Sequence, residues 1–115
     1  MTQNNIFGNK LTKCGNLQTG YFRDGHCNTG PLDTGTHTIC ATMTDQFLNY
    51  TKSMGNDLIT PNQTFNFPGL KHGQQWCICE NRWKQAYLDG IDVKVDPHAT
   101  NIKSIKTYNF IEGVN

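Results

Sequence analysis

The stretch Gln74-Gln75-Trp76-Cys77-Ile78-Cys79-Glu80-Asn81-Arg82-Trp83-Lys84-Gln85-Ala86-Tyr87-Leu88-Asp89-Gly90 decides the fold, because it can be read with either of two periods. Its first part alternates as a strand does, whereas Trp76, Cys79, Trp83, Ala86 and Tyr87 also share one helical face. The choice bears on chemistry. On a strand Cys77 and Cys79 share a face, while on a helix an i, i+2 pair points roughly 200° apart. The reading adopted is a strand to about Ile78, then a helix over residues 80–89 that Gly90 stops. A strand running directly into a helix indicates an α+β chain.

Working towards the N-terminus, Asn56 to Gly73 reads as a long loop, since Pro61, Pro68 and Gly69 interrupt any ladder while Phe65, Phe67 and Leu70 can pin it to the core. Before it, Thr44 is placed to cap a helix, with Asp45 in the first turn and Met43 positioned to staple onto Leu48. Phe47, Leu48, Thr51 and Met54 form its stripe and Gly55 its stop. His37 to Met43 alternates as a strand. Residues 4–12 and Tyr21-Phe22-Arg23 suit short irregular strands, and glycines punctuate the passage between them. Beyond the central stretch, Ile91 to Asp96 alternates as a strand ended by Pro97. Thr100 is placed to cap a short helix through Lys106, and Tyr108, Phe110 and Ile111 return as a final extended piece.

The densest gathering of reactive groups is Arg23 to Cys40, which holds two cysteines, two histidines, an arginine and two aspartates on a segment with too few apolar residues to be a core element. A shaped polar loop is the natural reading, with tight turns at Asn28-Thr29-Gly30-Pro31 and Asp33-Thr34-Gly35 that call on glycine for positive φ.

Composition narrows the classes. At 115 residues the chain is expected to form one domain, residues 1–115, around one hydrophobic core. Ten Lys+Arg against nine Asp+Glu, scattered apart from Lys94, Lys103 and Lys106, argue against a nucleic-acid footprint. No apolar run approaches the roughly 20 residues that span a bilayer, and Met1 to Asn5 carry no basic n-region. A cytosolic protein without nucleic-acid or membrane partners is expected. Five cysteines, an odd number without a secretion signal, read as reduced thiols. The sequons at Asn49-Tyr50-Thr51 and Asn62-Gln63-Thr64 are then chance matches.

The residues also carry a resemblance. Phe22-Arg23-Asp24-Gly25, Cys27-Asn28-Thr29-Gly30-Pro31, Asp33, Gly35, His37-Thr38, Cys40-Ala41, Thr44-Asp45-Gln46-Phe47-Leu48, Gly55-Asn56-Asp57-Leu58, Thr60-Pro61, Phe67-Pro68-Gly69-Leu70-Lys71, Trp76-Cys77-Ile78-Cys79 and Arg82-Trp83 match nearly the whole length of a pattern. On them the chain resembles the bacterial and eukaryotic family catalogued as domain of unknown function 2237. The resemblance implies a small two-layer α+β domain standing alone, with no established activity. His72 and Gln75 stand where such proteins usually show Pro and a charged residue, and Asn101 where they show His.

Several chemistries compete for these residues. Cys27, His37, Cys40, Cys77 and Cys79 offer zinc ligands, yet no Cys-x-x-Cys knuckle appears, and cysteines buried as small hydrophobes are commoner, so no metal ligand is assigned. Thiol chemistry would make Cys27 or Cys40 a thiolate kept reactive by His26, His37 or Arg23, with Asp24 or Asp33 orienting the base. Anion recognition would use Arg23, Arg82 and backbone N–H groups around Thr29-Gly30. The aromatic residues Trp76, Trp83, Phe65 and Phe67 are expected in the core rather than on a docking face.

The expectation is therefore a polar cleft formed by residues 23–40, the Gly55-Asn56-Asp57 turn and the Cys77–Arg82 segment, which meet in space. Cys27, His37 and Cys40 are its candidate catalytic residues, and Arg23, Asp24, Thr29, Gly30, Asn56, Asp57 and Arg82 its candidate ligand-binding ones. It would bind or act on a small polar or anionic molecule; the alternative is a structural or protein-interaction module with a buried cysteine cluster or zinc site.

Overall fold

A computed structural model describes residues 3–113. The order of elements is β1 (Ile39–Thr42), α1 (Asp45–Ser53), β2 (Gln75–Ile78), α2 (Glu80–Leu88), β3 (Lys94–Val95), a 3-10 turn (Ile102–Ser104) and α3 (Ile105–Glu112). The strands form one antiparallel sheet in the order β2-β1-β3, so the chain is a small α+β protein with short strands, three helices and long loops.

The register of β1 on β2 sorts the residues between the two faces of the sheet. Ile39 pairs with Ile78 and Ala41 with Trp76, while the intervening pair is Cys40 with Cys77. Because successive side chains alternate, Ile39, Ala41, Trp76 and Ile78 share one face and Cys40 and Cys77 the other. The first face packs with Met43, Phe47, Leu48, Leu70, Trp83, Ala86 and Val93 into the main hydrophobic core beneath the helices. The second meets Cys14, Cys27 and Ala99 of the surrounding loops.

Each helix begins for a local reason. Thr44 Oγ1 accepts the Phe47 N–H at 3.0 Å and Asp45 occupies the first turn, so α1 starts where its cap stands. Strand β2 ends at Ile78, and Cys79, in extended conformation, is the N-cap of α2. The strand-to-helix reading of the central stretch thus holds to within a residue or two. Helices α1 and α2 are tied by Tyr50, whose hydroxyl donates to Asp89 Oδ2 at 2.5 Å.

Four expectations are corrected. The 4–12 segment makes only isolated bridges, Asn4 with Lys10 and Asn5 with Asn101, because Asn5 Oδ1 takes the N–H groups of Phe7 and Asn9 into a local turn. Tyr21-Phe22-Arg23 is a turn, with the Arg23 N–H donating to Gly20 O. The piece at Tyr108, Phe110 and Ile111 is helical: Asn101 rather than Thr100 caps the 3-10 turn, and Tyr108 and Ile111, three apart, lie against the core as one face of α3. The strand expected over Ile91–Asp96 is regular only at Lys94–Val95.

Candidate functional site

The cysteines divide four to one. Cys14 is bonded to Cys40 and Cys27 to Cys77, and Cys79 alone is free. This corrects the expectation of reduced thiols, and with it the candidacy of Cys27 and Cys40 as nucleophiles, since both sulfurs are already bonded and both residues are fully buried. The odd count did not distinguish five thiols from two bonds and one thiol.

The free thiol is the one that meets histidine. His37 Nε2 lies 3.3 Å from Cys79 Sγ, and His37 Nδ1 lies 2.6 Å from Asp33 Oδ1. The Asp33 side chain is fully covered whereas that of His37 is 37 % exposed, so the chain of contacts runs from a buried carboxylate outward to the sulfur. Asp33 is itself fixed, because Oδ2 accepts from Thr29 Oγ1 and from the His37 N–H, both at 2.9 Å.

This geometry assigns the protons. An ionised carboxylate only accepts, so His37 Nδ1 carries a hydrogen and donates it to Asp33. Nε2 is left with two states: bare, it accepts from a thiol; protonated, it donates to a thiolate. The hydrogen bond to Cys79 raises the His37 pKa to about 9; burial opposes this, and the bond to Asp33 and the charges on both partners reinforce it. At neutral pH the imidazolium is therefore the prevailing form. For Asp33, burial pushes the carboxyl up, but the hydrogen bonds from His37 and Thr29 outweigh it and hold it below the usual carboxylate range.

Local backbone fixes the pair. Thr36 takes φ 50°, a left-handed conformation unfavourable for a β-branched residue, and its carbonyl accepts the Glu80 N–H at 3.0 Å. The residue before His37 is thereby bonded to the residue after Cys79. Gly35 and Gly30 do not take the positive φ expected of their turns; Arg23 and Thr36 do. Gly35 is required instead for close approach, because a Cβ there would sit 2.7 Å from His37 Cε1 and 3.3 Å from Cys79 Sγ.

His37 and Cys79 open onto a cleft of about 370 Å³, lined also by Arg23, Asn56, Asp57, Trp76 and the loop from Leu58 to Phe67. The Arg23 guanidinium stands 5.2 Å over the Trp76 ring and donates to Gly20 O and Phe65 O, which engages two of its five N–H donors. Asn56 Nδ2 donates to Thr51 Oγ1, and Asp57 Oδ1 accepts the N–H groups of Ile59 and Thr60. These bonds from Thr60 and Ile59 hold the Asp57 carboxyl below its ordinary value and spend it on shaping the cleft wall.

The expected meeting of the two segments is therefore present, in the Cys27–Cys77 bond and in the His37–Cys79 contact. Arg23, His37, Asn56 and Asp57 line the cleft as expected. Thr29 acts one step back, on Asp33, and Gly30 accepts the Asp33 N–H in the turn. Asp24 is occupied within its loop by the His26 N–H and Asn28 Nδ2. Arg82 points to Met54 O and Gln85 Oε1, outside the cleft lining. Cys79, the thiol in contact with His37, was absent from the expected site residues, and its position just before α2 was the available signal.

Among family models, one described as "Uncharacterized protein conserved in bacteria (DUF2237)" matches residues 4–112. The chain belongs to this family. No curated protein matches it. Family membership thus supplies no activity. Among the described residues no helix is long and apolar enough to cross a membrane.

Proposed function

We propose that the protein is a thiol-dependent enzyme acting on a small polar or anionic molecule, with Cys79 as nucleophile. The observation that supports this most strongly is the alignment of Asp33, His37 and Cys79 at one wall of a cleft, a nucleophile in contact with a base that is oriented by a third group. Asp33 holds the imidazole tautomer. His37 carries the proton that a leaving group needs, and Cys79 at the amino end of α2 forms the covalent bond. Arg23, stacked on Trp76 with donors to spare, holds the anionic part of the substrate.

A thermal-shift screen of small carboxylates, phosphate esters and thioesters tests the reading. At least one compound should stabilise the wild type and not Arg23→Ala, and its turnover or covalent capture should be lost in Cys79→Ser. Stabilisation equal in wild type and Arg23→Ala, or turnover that survives in Cys79→Ser, would contradict it.

A further inference from the structure

The second face of the sheet carries a different chemistry. The sulfurs of Cys14, Cys27 and Cys40 all lie within 4.8 Å of one another, and that of Cys77 is bonded to Cys27. All four residues are buried, beside Ala99. They come as two pairs, each held together by backbone. Cys40 and Cys77 are cross-strand partners in the β1–β2 ladder, and the Cys14 N–H donates to Gly25 O at 2.8 Å, which holds Cys14 near Cys27. Two disulfides that join the same loop pair to the same rung of a ladder are partly redundant as cross-links, because once one is closed the other closes only a small ring. Four sulfurs converging from two paired segments are, in contrast, what a tetrahedral ion requires.

We propose that in the reduced protein Cys14, Cys27, Cys40 and Cys77 form a four-thiolate zinc site. A Zn–S bond of about 2.3 Å places tetrahedral sulfurs about 3.8 Å apart. The sulfurs of Cys14, Cys27 and Cys40 already lie within 4.8 Å of one another, and that of Cys77, outside this set, joins them by parting from Cys27, a rearrangement for χ1 adjustments once both bonds are reduced. Each disulfide takes two electrons and two protons from a dithiol, which leaves as its own disulfide. The four thiols then release four protons to water as Zn²⁺ bonds to four thiolates. Gln75 Nε2, 3.7 Å from Cys40 Sγ, is placed to donate to one of those sulfurs. Cys79 is outside the set, because it lies past the end of β2 with its sulfur on His37. The zinc site and the cleft thiol are thus separate, and neither proposal depends on the other.

Titration of the full-length chain, reduced with a phosphine under anaerobic conditions, with Co²⁺ tests this. One equivalent should develop the d–d and sulfur-to-cobalt charge-transfer bands of a tetrahedral tetrathiolate, which Zn²⁺ then abolishes. The bands should be unchanged in Cys79→Ser and lost in Cys40→Ser. Because Cys40→Ser removes a core residue, alkylation mapping of the zinc-loaded wild type supplies a second reading: Cys79 should label while the other four are protected. Absence of the tetrathiolate bands in reduced wild type, their loss in Cys79→Ser, or equal labelling of all five cysteines would overturn the proposal.

Discussion

At His37 the proton inventory makes quantitative demands. The imidazole should titrate with a midpoint of about 9 by NMR, and replacing Cys79 by Ser should move it down further than replacing Asp33 by Asn, since the sulfur is the largest cause of the rise. An unchanged midpoint in Cys79→Ser would show that the two side chains are not paired in solution. The same shifts set a stability window. His37 is raised, so its contribution is complete below its ordinary value of 6.5 and is lost as pH rises through about 9; Asp33 is lowered, so its contribution is complete above 3.8 and is lost as pH falls below that. Chemical denaturation should therefore show the pair's full contribution between those limits, relative to Asp33→Asn. Gly35 tests the geometry independently of titration. Gly35→Ala puts a methyl carbon 2.7 Å from His37 Cε1, which must move away, and should leave a folded protein whose Cys79 loses its histidine. Retention of wild-type Cys79 reactivity in that variant would mean the imidazole has another place to stand.

Elements were legible where the cause lay inside the element. Thr44, Asp45 and the stripe of Phe47, Leu48, Thr51 and Met54 announce α1, and the structure returns all but Met54, the exposed C-cap, in the expected role. Thr44→Ala should cost about 1 kcal/mol, read as a lower denaturation midpoint with the same slope, and should not alter Cys79 labelling, because the cap is remote from the cleft. A change in labelling would mean that α1 positions the site. The helix α3 was not legible, because Tyr108, Phe110 and Ile111 fit both periods and the deciding contact, Tyr108 against Trp83, comes from a residue 25 positions away. Likewise the cleft could be placed from its polar residues, but the partner of His37 could not. Cys27 and Cys40 are nearer to it in sequence than Cys79, and only the β1–β2 register, which puts Cys40 and Cys77 on the opposite face of the sheet, together with the Cys27–Cys77 bond, takes them away from it.

For the molecule as a whole, the two disulfides close separations of 26 and 50 residues, each of which would cost the unfolded chain about 3 to 4 kcal/mol in conformational freedom, with less for the second because the loops overlap. Reduction without metal should lower the denaturation midpoint markedly, and reduction with zinc should restore much of it. A protein indifferent to reduction would show that the core beneath the helices suffices. The sheet thus separates two sulfur chemistries, a buried cluster that holds the fold and one exposed enough to react. That division is tested most directly by alkylating the native, non-reduced protein with iodoacetamide and mapping the modified residue by mass spectrometry. Cys79 alone should be labelled, at a rate that falls in His37→Ala, while Cys14–Cys40 and Cys27–Cys77 are recovered as bonded peptides. Labelling of Cys79 that is no faster than in the denatured chain and is unaffected by His37→Ala would contradict the account.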